Sequence, residues 1–492
     1  MRFYELTGEG GTVLDELRRR GLFLPADCGG RGSCGKCVIR LADAGGAPPP
    51  EPTEREKEKL SERELMEGCR LACQARFRGS FRISLPDDEE EMVSETGGID
   101  GEAPETGRSG EEAPEALEQS IAVDLGTTTI AAALLSSGRV VRTEVSVNHQ
   151  RSFGADVLSR IRLAAEGNGE KLRHLAEVDL ETLAEKLGAD PKNTRMVISG
   201  NTTMEHLLRG LSCEGLGAHP FTPVDLSLYT EGNRTFLPGI STFVGADIVS
   251  GIVATGMDQS DQIGLFLDLG TNGEMAIGKK DRILVSSAAA GPAFEGGSLS
   301  SGVAGIPGAI SGVALRGRTP VLTTIGGKKP IGLCGSGVIE IIYELLAAGF
   351  LDRTGLLSEE YREEGFGLAD GVTLTAGDVR EVQLAKAAIR AGLETLLEAY
   401  GVRPEQIHTF YLAGGFGQRL NLKKAAGIGL FPEELLARAE AAGNTSLQGA
   451  VLYASKEGMA ERFLGAVRLS EEVSLSESPV FRENYLKYMN LP

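Results

Sequence analysis

The sequence contains few of the residues that several common functions require. Its 50 Lys and Arg are outnumbered by 69 Asp and Glu, and a formal net charge of −19 argues against duplex nucleic acid as the main partner. Only five histidines are present, none in a nucleophile motif, which argues against a Ser/His/Asp or Cys/His hydrolase. No apolar run approaches the roughly 20 residues of a membrane helix, and no basic region followed by an apolar stretch opens the chain. We therefore expect a cytoplasmic protein without a signal peptide or a membrane partner.

The charge divides the 492 residues into three segments. Residues 87–119 hold thirteen Asp or Glu and one Arg, without helical or strand periodicity, which predicts an acidic flexible linker. Residues 1–86 form a first predicted domain, and residues 120–492 form a second. With 41 % apolar residues the chain can bury a core, which argues against a wholly disordered protein.

The first segment has the pattern of a small α+β domain. Residues 12–21 predict a short helix that ends at Gly21, and Val38–Leu41 and Phe81–Leu85 predict strands. Five of the seven cysteines fall within residues 28–73, which in a cytoplasmic chain indicates metal binding before disulfides.

Three of these cysteines, Cys28, Cys34 and Cys37, have the spacing C-x5-C-x2-C in a glycine-rich loop. Glycines let such a loop wrap a small iron–sulfur cluster, and a remote cysteine supplies the fourth thiolate. A zinc site is the alternative, but zinc favours paired C-x2-C motifs and only one is present. Cys69 and Cys73 both qualify as the fourth ligand, because residues four apart on a strand face the same side.

The cysteine spacing, with Arg-Leu-Ala-Cys-Gln around Cys73, resembles the adrenodoxin-like branch of [2Fe–2S] ferredoxins. The resemblance implies a β-grasp fold and makes Cys73 the fourth ligand. Ferredoxin-type domains usually open with a full hairpin, whereas only about ten residues precede the helix here. Either the hairpin is truncated or the chain starts late. The distant Cys213 and Cys334 are interpreted as packing residues.

The large segment alternates apolar strands with amphipathic helices, which indicates an α/β fold. One motif occurs twice, 144 residues apart: Asp-Leu-Gly-Thr begins at Asp124 and again at Asp268, each time between two apolar strands. The repetition predicts two similar lobes whose aspartates face each other across a cleft.

This motif suits nucleotide phosphates. A glycine in the turn permits close backbone approach, backbone N–H groups and threonine hydroxyls bind phosphate oxygens, and the aspartate holds Mg²⁺ through water. The predicted phosphate-binding residues are those of the two turns, namely Gly126, Thr127, Thr128, Gly270, Thr271 and Asn272.

A strand ending at Tyr411-Leu-Ala is followed by Gly414, Gly415 and Gly417, where the backbone can pass close to a flat base. Together with the two turns it resembles the adenosine and phosphate motifs of the ASKHA superfamily, which includes acetate and sugar kinases, Hsp70 and actin. The resemblance implies ATP and Mg²⁺. It assigns Asp247, 21 residues before Asp268, to the acidic connecting-helix position that orients water or metal. Glu274, at the start of an apolar strand, is a further catalytic candidate. The alternative interpretation of Asp247 is an ordinary helix cap, and that of Glu274 is a turn residue.

A [2Fe–2S] domain, a linker and a two-lobed ASKHA domain resemble the reductive activators of corrinoid-dependent methyltransferases. Further stretches carry the resemblance: Gly200–His206, Ser287–Gly296, Leu333–Gly337 and Gln383–Ile389. It implies that ATP hydrolysis drives an electron from the cluster to Co(II) of a corrinoid protein, regenerating Co(I). An upstream electron donor is then required, and the resemblance is compatible with a homodimer. Members often carry a middle domain, which we expect to be missing because the linker runs directly into Ile121.

Three other functions remain open at this point. One is an ATP-driven electron donor to a different acceptor, such as a radical dehydratase. Another is a small-molecule kinase with an accessory redox sensor. The third is an ATP-dependent scaffold or chaperone with a structural cluster.

Overall fold

A computed structural model describes residues 2–20, 22–43, 51–85, 119–270 and 272–492. The predicted linker lies outside these residues except for Gln119, and so does Thr271. None of the helices in the described ranges combines the length and the apolar character needed to cross a bilayer.

The N-terminal domain is a four-stranded sheet in the order β1-β4-β2-β3 with a helix against it. Helix α1 begins after Thr12, whose side chain accepts a hydrogen bond from the Asp15 amide at 3.1 Å and so acts as the N-cap. Val13, Leu14 and Leu17 of α1 pack into one core with the sheet. The elements are β1 (Arg2–Thr12), α1 (Val13–Arg19), β2 (Val38–Asp43), α2 (Glu54–Lys59), α3 (Glu62–Met66), β3 (Cys69–Leu71) and β4 (Arg76–Leu85).

The first lobe of the large segment is built on a six-stranded sheet in the order β7-β6-β5-β8-β10-β9. Its strands are β5 (Ser120–Leu125), β6 (Thr129–Ser136), β7 (Arg139–Val147), β8 (Arg195–Gly200), β9 (Tyr229–Glu231) and β10 (Arg234–Phe236). Its helices are α4 (Val157–Leu163), α5 (Gly169–Leu187), α6 (Thr202–Arg209), α7 (Glu214–Gly217) and α8 (Ala246–Thr255).

The second lobe contains another six-stranded sheet, in the order β20-β19-β11-β12-β13-β21. The strands of this lobe are β11 (Gly264–Leu269), β12 (Gly273–Lys279), β13 (Arg282–Ala288), β14 (Ala309–Arg316), β15 (Thr319–Thr324), β16 (Gly332–Leu333), β17 (Phe366–Ala369), β18 (Val372–Leu374), β19 (Thr409–Ala413), β20 (Ala439–Gly443) and β21 (Ser470–Glu472). The remaining helices are α9 (Gly335–Ala348), α10 (Ala376–Tyr400), α11 (Gly414–Arg419), α12 (Leu422–Gly427), α13 (Thr445–Ser455), α14 (Met459–Leu469) and α15 (Pro479–Tyr488).

The sequence repeat corresponds to a repeat of topology. Strands β5 and β6 form an antiparallel pair around the first Asp-Leu-Gly-Thr turn, and β11 and β12 form the same pair around the second. In each sheet the first of these strands also pairs in parallel with a later strand, β8 or β19. The two-lobed α/β architecture predicted from the repeat is therefore confirmed.

Helices α8 and α13 pack against each other between the two sheets. The apolar core around them contains Ala122 of the first sheet and Phe266 of the second, both with no exposed surface. Gly449 of α13 lies against Ser250 of α8, where a Cβ atom would come within 2.4 Å of the serine Cβ. This close crossing holds the two Asp-Leu-Gly-Thr turns on opposite sides of one cleft.

Candidate functional site

Four cysteines of the N-terminal domain converge on one loop. Cys28, Cys34 and Cys37 lie between α1 and β2, and Cys73 lies in the turn between β3 and β4. The Cys34 thiol donates to Cys28 Sγ at 3.4 Å, and the side chains of Cys37 and Cys73 are hydrogen-bonded to each other. The hydrogen bond from Cys34 lowers the pKa of Cys28 to about 3.

Cys69 lies outside this group. It begins β3 opposite Arg40, and it is half-buried. Burial raises the pKa of its thiol, and the nearby charges that act on it come from side chains such as Glu64 and Arg40 rather than from the other cysteines. The donor set of four convergent thiols fits a [2Fe–2S] cluster, which needs four ligands.

A cavity of about 370 Å³ lies between the two lobes. Its walls include most of the residues that the sequence assigns to nucleotide binding and catalysis. These residues come from both turns and the strands beside them, from α8 and from the start of α11. They are Asp124, Gly126, Thr127, Thr128, Asp247, Asp268, Gly270, Asn272, Glu274, Gly414 and Gly415.

The adenosine motif reaches the same cavity. At Gly414 the chain leaves β19 with φ +82°, and a Cβ atom there would lie 2.8 Å from Asp268 Oδ1. Only glycine allows this approach of α11 to the second turn. Gly417 lies one turn further along α11, beside the Leu412 carbonyl rather than on the cavity wall. The predicted role of Thr271 concerns a residue outside the described ranges.

Four carboxyl groups that line the cavity lie close enough to interact electrostatically, namely those of Asp124, Asp247, Asp268 and Glu274. Burial raises the pKa of Asp268 to about 7, and the negative charges of Asp247 and Asp124 add to the shift. Burial likewise raises the pKa of Asp247 to about 7, and that of Glu274 well above its usual value. Glu274 lies directly opposite Asp268 in the β11–β12 register. Such a set of oxygens fits a hydrated Mg²⁺, because a divalent cation would offset their mutual repulsion.

Asp124 is held by residues that the sequence analysis missed. Its two carboxylate oxygens accept hydrogen bonds from Asn444 Nδ2 at 2.8 Å and from Ser446 Oγ at 2.7 Å. Asn444 is the N-cap of α13, and an asparagine before a helical pattern is a signal that could have found it. These two hydrogen bonds fix the carboxylate of the first turn.

Glu295 is a second residue that sequence reasoning did not assign. Its Oε2 accepts a hydrogen bond from Thr128 Oγ1 at 3.3 Å, so it joins the first-lobe turn to the second lobe. It belongs to the stretch Ser287–Gly296, which contributes to the family resemblance but carries no predicted site residue. Cys334 also lines the cavity, and Cys213 is buried in the first lobe.

Arg160 of α4 is hydrogen-bonded to the backbone of the first Asp-Leu-Gly-Thr turn and has no exposed surface. Its guanidinium donates to the Thr127 carbonyl at 2.5 Å and to the Gly154 carbonyl at 2.9 Å. A third bond reaches Gln150 Oε1 at 3.1 Å. The arginine therefore ties the turn to residues 150–154.

We expect Arg160→Met to destabilise the first lobe by about 3–5 kcal/mol, because its buried carbonyl partners lose their charged donor. Thermal unfolding followed by circular dichroism measures the loss. Arg173→Met is the matched control, since Arg173 is partly exposed and forms a surface ion pair with Glu177. Equal unfolding temperatures for the two variants would contradict the assigned role.

The N-terminal domain contributes to the cavity wall and contacts both lobes. Phe23 and Pro25, which precede the cysteine loop, are part of the cavity lining. The Arg18 guanidinium lies 4.4 Å from the centroid of the Phe153 ring, and its Nε donates to the Ser152 carbonyl at 2.9 Å. Lys36, beside Cys37, donates to the Gly302 carbonyl of the second lobe at 3.2 Å. The cysteine loop thus contacts both lobes.

Three protein-family descriptions match the chain. Residues 4–78 match a 2Fe-2S iron-sulfur cluster binding domain, residues 119–260 match the RACo middle region, and residues 262–492 match the C-terminal domain of RACo, the ASKHA domain. The expectation that a middle domain is missing is therefore wrong. That region corresponds to the part of the chain that carries the first Asp-Leu-Gly-Thr turn.

Individual proteins of the corrinoid-activating class are also similar to this chain. The corrinoid activation enzyme RamQ of Eubacterium limosum is 33 % identical, across 74 % of this chain and 69 % of that protein. The [Co(II) methylated amine-specific corrinoid protein] reductase of Methanosarcina barkeri is 28 % identical, across 63 % of this chain and 65 % of its own length. A solved structure of a reductive activator for corrinoid,iron-sulfur protein superposes with a TM-score of 0.70 at 26 % identity, covering 98 % of this chain and 96 % of that one.

Proposed function

Because the chain belongs to the RACo family, we propose that it reductively activates a corrinoid protein, using ATP to drive an electron from its [2Fe–2S] cluster to Co(II). The single observation that carries the proposal is the contact between the two candidate sites: Phe23 and Pro25 line the nucleotide cavity, and the cysteine loop begins three residues after Pro25. A nucleotide in the cavity would therefore lie against the segment that leads into the cluster.

Each predicted site residue has a role in this proposal. Cys28, Cys34, Cys37 and Cys73 hold the cluster, which supplies one-electron chemistry when bound. Asp124 and Asp268 position Mg²⁺, and Asp247 and Glu274 orient the attacking water. The two turns and the glycines after β19 bind the nucleotide; for Thr271 and Gly417 this rests on the sequence motifs alone. The proposed domains are a ferredoxin-like domain (1–86), a linker (87–119) and an ASKHA ATPase domain (120–492).

The partners follow from the chemistry. The acceptor is a corrinoid protein whose Co(II) must return to Co(I) before it can accept a methyl group. Each cycle consumes an electron, so a separate donor reduces the cluster. For a one-electron step, about 59 mV corresponds to a tenfold change in the equilibrium constant, and an uphill transfer requires the free energy of ATP. We also propose a cytoplasmic location and a homodimer.

An anaerobic assay tests the proposal. Purified protein is mixed with a chemical reductant, a Co(II) corrinoid protein of a methyltransferase system, and Mg-ATP, and the Co(I) absorption band is followed. We expect Co(I) with ATP and none without nucleotide. A protein that hydrolyses ATP and carries its cluster, yet yields no Co(I) with several corrinoid proteins, would contradict the proposal. That result would favour another acceptor or an ATP-dependent scaffold.

A further inference from the structure

The described lining of the nucleotide cavity contains one basic side chain, Arg151. Five acidic side chains line the same cavity: Asp124, Asp247, Asp268, Glu274 and Glu295. A nucleoside polyphosphate brings further negative charge, so its phosphates need cationic partners in addition to Mg²⁺. Arg151 is the described side chain that can provide one.

The chain segment that carries Arg151 is hydrogen-bonded to the first Asp-Leu-Gly-Thr turn. It lies in the 3₁₀ turn His149–Ser152, which Asn148 caps. Asn148 is completely buried, its backbone amide donates to the Thr128 carbonyl at 3.0 Å, and its Nδ2 donates to the Gly126 carbonyl at 2.9 Å. A change at the phosphate-binding turn therefore reaches the turn that carries Arg151 through direct hydrogen bonds.

The guanidinium of Arg151 has an incomplete set of partners. Its Nη2 lies 3.5 Å from Asp27 Oδ1, which is ion-pair contact without a well-formed hydrogen bond. Its Nε is buried and has no hydrogen-bond partner among the described residues. A buried donor without an acceptor costs free energy, so the present contacts leave the guanidinium incompletely satisfied.

Asp27 connects this arginine to the cysteine loop, because it directly precedes Cys28. Beside the ion pair, the backbone before Cys28 is hydrogen-bonded to the backbone of residues 151–155. The Ala155 amide donates to the Asp27 carbonyl at 3.1 Å, and the Ala26 amide donates to the Arg151 carbonyl at 3.4 Å. At Gly29, with φ +67°, a Cβ atom would lie 3.0 Å from the Phe153 carbonyl. The loop thus rests on the segment that carries Arg151.

We propose that Arg151 is a nucleotide-binding residue that exchanges Asp27 for a phosphate of the bound nucleotide. The nucleotide and the docked cysteine loop then compete for one guanidinium, so binding in the cavity weakens the attachment of the loop to the ATPase lobes. This inference rests on the proposed function because it requires that the cavity binds ATP. It adds Arg151 and Asp27 as the residue pair that couples nucleotide binding to the cluster.

Equilibrium binding of Mg-ADP and of a non-hydrolysable Mg-ATP analogue to the cluster-containing full chain tests the exchange. We expect Arg151→Met to weaken binding by about tenfold, since a phosphate loses a charged donor. Asp27→Asn is expected to change affinity in the opposite direction, by a few-fold, because the competitor loses its charge. The double variant should bind as weakly as Arg151→Met alone, since Asp27 acts only through the arginine. Arg142→Met, which removes an exposed partner of Glu144 in the same lobe, is the control.

Unchanged affinity in Arg151→Met, or weaker binding in Asp27→Asn, would overturn the exchange. A second measurement avoids any substitution at Asp27, which adjoins Cys28. The visible circular dichroism of the cluster should change on nucleotide binding in the wild type and in Arg142→Met but not in Arg151→Met. An equal response in all three would also overturn it. No corrinoid protein enters either experiment. Failure of the wild type to bind adenine nucleotides at all would instead count against the proposed function.

Discussion

Replacing Asp268 by asparagine is expected to lower ATP turnover by about a hundredfold or more, since the carboxylate that we propose to position Mg²⁺ loses its charge. Asp268 lies opposite Glu274 in the strand register and beneath Gly414, so the isosteric amide fits the same space. Phosphate release measures the turnover, and the visible spectrum of the cluster should stay as in the wild type, because the cysteines lie in another domain. Turnover at the wild-type rate would contradict the assignment of the cleft.

The same substitution should stabilise the nucleotide-free protein above pH 7. Burial raises the pKa of Asp268 to about 7, whereas an unfolded aspartate titrates near about 3.9. Between these values the unfolded chain releases its proton first, so this group lowers stability as pH rises through the interval, and the penalty is complete above pH 7. Asp268→Asn removes that penalty.

Thermal unfolding without nucleotide should therefore show the Asp268→Asn variant melting a few degrees above the wild type at pH 8, with the difference shrinking towards pH 5. Asp261→Asn is the matched control. Asp261 precedes the same strand but is exposed, and its hydrogen bond with Lys280 holds its pKa below the usual value. The control variant should gain no stability. A lower melting temperature for Asp268→Asn at pH 8 would contradict the penalty assigned to the buried, charged Asp268 carboxylate.

Cys73→Ser should abolish the visible absorption of the two-iron cluster and reduce the iron content, because the fourth thiolate is lost. The structure supports this choice by geometry: the side chains of Cys73 and Cys37 are hydrogen-bonded, and Gln74 Nε2 donates to Cys73 Sγ at 3.4 Å. Serine occupies similar space, so the turn between β3 and β4 should remain folded.

Cys69→Ser is the control for that experiment. Cys69 belongs to the same short stretch of chain, yet it lies opposite Arg40, apart from the other sulfurs. We expect iron content and spectrum close to those of the wild type. Loss of the cluster in Cys69→Ser with retention in Cys73→Ser would reverse the ligand assignment.

The two-lobed fold could be predicted from the sequence because its evidence is local. Each Asp-Leu-Gly-Thr motif lies between apolar strands, and β5–β6 and β11–β12 form the expected antiparallel pairs. The cysteine loop and the short helix over residues 12–21 were equally visible, since turn chemistry and a helical apolar pattern act over a few residues.

The contacts between distant segments could not be predicted in the same way. Asn444 and Ser446 bind Asp124 from 320 residues away in the chain or more, and no local pattern reports such a pairing. Glu295 and Arg151 are unremarkable in the sequence, and only the packing of lobes and cysteine loop brings them to the cavity. The middle region was overlooked because its strands and helices continue the ATPase pattern without a break in composition.

A single-turnover experiment tests the central claim most directly. Protein with a pre-reduced cluster, freed of excess reductant, is mixed anaerobically with a Co(II) corrinoid protein, with or without Mg-ATP. The account predicts that cluster oxidation and Co(I) formation proceed together, one Co(I) for each cluster oxidised, and only when ATP is present. Equal Co(I) formation without ATP, or cluster oxidation in its presence that yields no Co(I), would contradict it.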